Sequence, residues 1–202
     1  MSDRIKAVIF DMGGVLLRTI DPNPRELMAQ RFGTTRKELE QFVFLSATSL
    51  RSEIGEISAI HHWQAVLKHF GQENLDALTA YEEFFSGDAI DEELLSYAAT
   101  LRKDFQLGLL SNAWMHARQY LLKNYSFLDI FDIAIFSAEV GFRKPDVRIF
   151  HLILEHLGVS AKEAVFIDDF QENVESAKSL GFECVQFFDT KEVIQRLKTV
   201  LE

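Results

Sequence analysis

The chain has 202 residues, 48% of them hydrophobic, with 21 Lys+Arg against 31 Asp+Glu and a formal net charge of −10. That length suits one ordinary domain, or one domain with a modest insertion, and buries a sizeable core without disulfides or structural metal. The 18 Phe and 3 Pro argue against disorder, and the acidic balance argues against a nucleic-acid partner, whose phosphates need a basic face.

No apolar run approaches the roughly 20 residues of a membrane span, so no membrane partner is expected. The single cysteine, Cys184, has no partner for an internal disulfide, and the Met1-Ser2-Asp3-Arg4 start carries no signal peptide. The expected compartment is cytoplasmic.

The first element is Ile5 to Phe10, a short apolar run stopped by Asp11-Met12-Gly13-Gly14. It reads as a buried strand and a tight turn. From about 22 to 88 the patterns are helical. Pro24 stands at a first helical position, Thr35 to Glu38 fits a capping box, and Ser58 opens a helix that Gly71 stops. No strand is expected there. From Asp91 onward strands and helices alternate. Helices are predicted over Asp91 to Lys103, Trp114 to Asn124, Asp146 to Leu157, Gln171 to Leu180 and Lys191 to Leu201. Strands are predicted over Phe105 to Leu110, Phe131 to Phe136, Ala164 to Ile167 and Cys184 to Phe187. Such alternation predicts an α/β fold, a Rossmann-like parallel sheet core with an inserted all-helical cap. The division expected is 1–18 and 89–202 for the core and 19–88 for the cap.

In open α/β sheets ligands bind beyond the carboxyl ends of the strands. Four polar clusters fall at or after such ends: Asp11, Ser111-Asn112, Lys144 and Asp168-Asp169. A single aspartate there reads equally well as a turn residue; four clusters on one edge do not. Asp11, Asp168 and Asp169 form an oxygen-rich set suited to Mg²⁺. Without a metal, three close carboxylates repel one another. Ser111 and Lys144 suit the oxygens of a phosphoryl group, with one carboxylate as nucleophile.

The chain is similar to the haloacid dehalogenase superfamily. Phe10 to Leu16 resembles its motif I, Leu109-Leu110-Ser111-Asn112 motif II, Gly141 to Asp146 motif III, and Phe166 to Asn173 motif IV, in the family's order. The insertion resembles the helical C1 cap of subfamily IA. The chain also resembles glucose-1-phosphatase-like and epoxide-hydrolase N-terminal-phosphatase-like members. The resemblance implies a Mg²⁺-dependent phosphatase working on a small phosphorylated metabolite, a sugar phosphate among the candidates, through an aspartyl-phosphate. It implies Asp11 as nucleophile and metal ligand, the Gly13 carbonyl and Asp169 as further ligands, and Asp168 acting through water. It implies Ser111 and Lys144 on the phosphate, Asn112 and Arg143 on the substrate, and Asn173 bracing motif IV. Either a monomer or a homodimer is compatible with it.

One position departs from the pattern. Family phosphatases usually carry a second aspartate where this chain has Gly13. That residue protonates the leaving oxygen, a contribution of about 10² to 10⁴-fold. A cap group such as His61 or His62, or a substrate with a good leaving group, would offset the loss. The alternatives are a 2-haloacid dehalogenase-like hydrolase, against which the Asp168-Asp169 pair argues, and a weakly active or non-catalytic binding protein. Arg18, Arg51 and Trp114 are further candidates for the substrate's far end or the pocket wall.

Overall fold

The structure is a computed structural model that describes residues 4–202. Met1 to Asp3, part of the start read for a leader, lie outside the described residues. Strand β1 (Ala7–Phe10) is wholly buried and occupies the centre of a five-stranded parallel sheet. On one side it pairs with β4 (Gln106–Ser111), which pairs with β5 (Ile133–Phe136). On the other it pairs with β6 (Ala164–Asp168), which pairs with β7 (Glu183–Gln186). A strand covered on both faces reads as a continuous apolar run, as Ala-Val-Ile-Phe does.

Alternation along β1 feeds two cores. Val8 and Phe10 pack under α6 (Glu92–Leu101) and α11 (Thr190–Leu201), through Leu94, Ala98, Val193 and Leu197. Ala7 and Ile9 pack under α9 (Val147–Leu157) and α10 (Gln171–Ser179), through Ile149, Phe150, Ile153 and Ala177. Gly108 of β4 leaves room for this: a Cβ there would press on Ile153 and Ile9 at 2.9 and 3.0 Å.

Between β1 and α6 lie five helices: α1 (Asn23–Arg31), α2 (Arg36–Leu45), α3 (Ala47–Glu53), α4 (Ala59–His69) and α5 (Ala77–Phe85). Their own core centres on Met28, Leu39, Trp63, Val66 and Phe84. Local chemistry sets the helix starts. Thr35 and Glu38 form the capping box, while Ser58 and Asp76 accept from backbone amides at the starts of α4 and α5.

Two features differ from the sequence expectation. A two-stranded antiparallel ribbon, β2 (Leu17–Thr19) with β3 (Asp88–Ile90), ties the ends of the helical unit together, with Thr19 opposite Asp88. Strands of three residues are too short to show alternation. The helix expected from Trp114 begins instead at Ala117 (α7, Ala117–Asn124), because His116 is left-handed at φ 71°. A short helix, α8 (Ser137–Val140), follows β5. Among the described residues no helix is long and apolar enough to cross a membrane.

Candidate active site

Loops leaving the carboxyl edge of the sheet bring the polar clusters together. Asp11 follows β1 and extends its ladder, its amide donating to the Ile167 carbonyl at 2.8 Å. The Met12 carbonyl then accepts from the amides of Leu16 and Leu17, at 2.9 and 2.8 Å, closing a tight loop. Within it Gly14 is left-handed at φ 82°, and a Cβ at this position would collide with the Asp169 carboxylate. The loops after β1 and β6 thus interlock through a missing side chain.

Lys144 is the hub. Its ammonium is 1% exposed and donates to Asp11 Oδ1 at 2.6 Å, Asp168 Oδ2 at 2.6 Å and the Leu110 carbonyl at 2.8 Å. That uses all three of its protons. The two carboxylates outweigh burial and hold its pKa above the ordinary lysine value. Asp168 is saturated: the Phe170 amide and Asn173 Nδ2 donate to its Oδ1 at 2.8 and 3.0 Å, and Asn173 also reaches Oδ2 at 3.1 Å. Asn173 therefore braces this loop.

Asp11 and Asp169 are less settled. Burial pushes the Asp11 carboxyl up to about 8; Lys144 lowers it, while Asp168 and Asp169 add to the rise. The Asp169 carboxyl is raised to about 6, by burial first and by Asp168 second. Its Oδ1 is buried with no hydrogen-bond partner. Ligand atoms of Asp11, Asp168 and Asp169 lie within 4.8 Å of one another. Three ionised carboxylates and one ammonium leave a formal charge of −2, which one divalent cation would neutralise. The unpartnered oxygen, the all-oxygen donor set and the charge balance together fit Mg²⁺.

The other sequence candidates fall in varied places. Ser111 is fully buried at the end of β4, its hydroxyl 3.4 Å from the Asn112 carbonyl. Gly13 lines the cleft beside Asp11, and a Cβ there would have nothing within 4 Å. Asn112 and Arg143 have partners other than a substrate. The Asn112 amide accepts from the Lys144 backbone N–H at 2.8 Å and donates to the Lys144 carbonyl at 2.9 Å, so it fixes the loop that carries the lysine. Arg143 forms an ion pair with Glu53 at the end of α3, joining the helical unit to the core. Glu53 was absent from the sequence reading, since no local pattern announces a pair 90 positions apart.

Arg18 pairs with Asp91, whose carboxylate also accepts from the Thr190 hydroxyl. Arg51 pairs with its neighbour Glu56 on the surface. His62 is buried in the helical unit: its Nε2 lies 2.9 Å from the Val43 carbonyl and its Nδ1 2.9 Å from the Thr48 hydroxyl. A neutral ring satisfies both contacts, donating through Nε2 and accepting at Nδ1. Burial pushes its pKa down to about 4. His61 caps α4 with Ser58. Neither histidine lines the cleft.

That cleft, of about 1170 Å³, runs from Asp11, Lys144 and Asp169 to Phe44, Tyr81 and Trp114. From the sequence Trp114 is expected to open a helix and is a candidate for the pocket wall. The structure puts it outside α7, in the wall, with its indole N–H donating to Ser49 Oγ of α3 at 3.2 Å.

Comparison with known proteins bears on this arrangement. The family model described as haloacid dehalogenase-like hydrolase matches residues 5–181. The chain is 27% identical over 220 residues to a D-ribitol-5-phosphate phosphatase from Bacteroides thetaiotaomicron, with 98% of each covered. It is 26% identical over 200 residues to a drimenol cyclase from Aspergillus calidoustus, a match covering 97% of this chain. The chain spans about a third of that relative's length, 36%. A crystal structure of a Bacteroides thetaiotaomicron family enzyme, complexed with magnesium and inorganic phosphate, superposes with a TM-score of 0.77 at 24% identity, covering 94% of this chain and 98% of the other. That likeness shows the fold.

Proposed function

The chain belongs to the haloacid dehalogenase-like hydrolase family, and from that premise we propose that it is a Mg²⁺-dependent phosphatase of a small phosphorylated metabolite. The observation that carries the reading is the clustering of three carboxylates, two of them paired with one buried lysine. Asp11, the Gly13 carbonyl and Asp169 would hold the ion, with Asp168 at one remove. A bound Mg²⁺ supplies Lewis-acid polarisation of a phosphoryl oxygen. We divide the chain into a core of 1–18 and 89–202 and a cap of 19–88, a boundary that falls within the β2–β3 ribbon. A lone buried thiol, its pKa raised to about 12 by burial, suits a reducing, cytoplasmic setting.

In this mechanism the Asp11 carboxylate attacks phosphorus, the ester P–O bond breaks, and the alcohol leaves with its electron pair. Lys144 holds Asp11 Oδ1 in place and keeps positive charge beside the transferring group. The Ser111 hydroxyl, buried and outside the cleft lining, would have to turn from the Asn112 carbonyl to donate to a phosphoryl oxygen. Water then hydrolyses the aspartyl-phosphate, giving inorganic phosphate and free Asp11. With glycine at position 13, the departing alkoxide takes its proton from solvent in the cleft. The D-ribitol-5-phosphate phosphatase makes a sugar phosphate the first polyol substrate to try. The Asp168–Asp169 pair argues against a 2-haloacid dehalogenase.

The test is release of phosphate from acetyl phosphate with Mg²⁺. Chelation is expected to abolish turnover, and Asp11→Asn to lower it by at least about 10³-fold. Turnover that survives EDTA, or survives in the Asp11→Asn protein, overturns the reading.

A further inference from the structure

A phosphoryl group explains the Asp11 end of the cleft and leaves most of its volume without an occupant. The remainder runs along an aromatic wall built from both parts of the molecule. Phe44 comes from α2, Tyr81 and Phe85 from α5, Trp114 from the loop after β4, and Tyr120 from α7. The rings are continuous. Phe44 stacks on Trp114 with centroids 6.3 Å apart, Phe85 meets Trp114 edge-on at 5.8 Å, and Tyr81 touches Phe85 at 5.0 Å and Tyr120 at 5.7 Å. All five are only partly buried, so part of their surface faces the cleft. At the rim Leu45 is 59% exposed and Leu50 37% exposed.

The two arginines, the indole and the Tyr125 hydroxyl of this wall are already engaged. Arg25 makes two bonds of 2.8 Å to Asp88 and one of 3.1 Å to Glu40. Arg36 donates to Glu40 at 2.9 Å, the Trp114 indole N–H to Ser49, and the Tyr125 hydroxyl to the Asp88 carbonyl at 3.4 Å. A polyol brought here exchanges its bonds to water for few replacements. A hydrocarbon meets aromatic faces that gain by leaving water.

From this continuity between the acidic site and the aromatic wall, we propose that the preferred substrate is the monophosphate of an apolar alcohol, a long alkyl or isoprenoid chain lying along the Phe44–Trp114 wall. The proposal rests on the phosphatase reading above.

The experiment measures kcat/KM with Mg²⁺ across n-alkyl monophosphates from ethyl to decyl, with glycerol 3-phosphate and ribitol 5-phosphate as polyol comparators and acetyl phosphate as the short reference. The expected result is a rise of about twofold to fourfold per added methylene, until the wall is covered, with decyl phosphate at least tenfold above both polyols. Phe44→Ser is expected to flatten the rise, and Leu45→Gln, at an exposed position, to lower the decyl-to-glycerol ratio. A flat series, a polyol as good as decyl phosphate, or equal losses on both substrate types in both variants overturns the proposal. If neither acetyl phosphate nor any ester turns over, the phosphatase reading fails. Dissociation constants of the same alkyl series on Asp11→Asn protein with Mg²⁺ then decide the wall: a chain-length slope upholds it and a flat series overturns it.

Discussion

The two ends of the cleft are built on opposite principles. The Asp11 end is built on charged and polar groups, and Lys144 sits at the centre of a hydrogen-bonded network. At the Trp114 end Arg25 and Arg36 are neutralised by neighbours and the surface presented is largely aromatic. The first end comes wholly from loops at one sheet edge. The second needs both the sheet and the inserted helices. On the proposed reading, chemistry and selectivity are separable: one is fixed within the core, the other depends on how two parts of the chain meet.

The largest expected effect tests the polar end. Lys144→Met leaves Asp11 and Asp168 buried without their cation, a loss of about 3–5 kcal/mol of stability, read by denaturant unfolding, together with loss of turnover. Added Mg²⁺ is expected to restore part of the lost stability, since it binds only the folded state. A variant as stable as the parent would show that the network is not under the charge stress described.

Next in size is a prediction for the helical unit. His62 is held neutral by burial, with its pKa near 4 against an ordinary 6.5. Below pH 6.5 the unfolded chain takes up a proton that the folded chain refuses, so stability falls as pH drops from about 6.5 toward 4. The full loss is about 3 kcal/mol; above pH 6.5 the group adds no further pH dependence. His62→Gln is expected to flatten the stability profile over that window, which unfolding at several pH values would reveal.

Smaller effects sharpen the boundary between the two ends. Position 13 has room for a side chain, so Gly13→Asp is expected to fold normally and to speed hydrolysis of unactivated alkyl monoesters by about tenfold or more. Anomeric sugar phosphates, with better leaving groups, gain less; equal gains on both would count against a missing proton donor. Arg143→Met removes the ion pair with Glu53 across the two units. Because the arginine is partly exposed, the expected cost is only about 1 kcal/mol, visible as a small drop in Tm.

What could be read in the sequence follows the range of the interaction responsible. Caps such as Thr35–Glu38 and Ser58 act within three residues, and their helices begin where the pattern says. Glycines 71 and 158 close α4 and α9 in left-handed geometry. Asp11 and the Asp168–Asp169 pair stand at strand ends, so placing the strands also placed them on one edge; Lys144 follows in the loop after α8. Pairings across the fold were not legible. Asn112 grips the Lys144 backbone and Arg143 meets Glu53 through tertiary geometry alone, and both had been assigned to substrate. Trp114 carries no signal that it leaves the helix, because His116 supplies the break through an unusual backbone conformation. The ribbon was missed because three residues per strand give no periodicity.

That ribbon places Thr19 directly across from Asp88. To the core, everything between these residues is a long hairpin loop that leaves and returns at one point. The core is therefore topologically indifferent to what fills the loop: helices can be lengthened, exchanged or replaced by a short turn without rethreading the sheet. Descendants of this chain could change what they select by swapping one continuous segment of gene, while the residues around Lys144 are inherited unchanged.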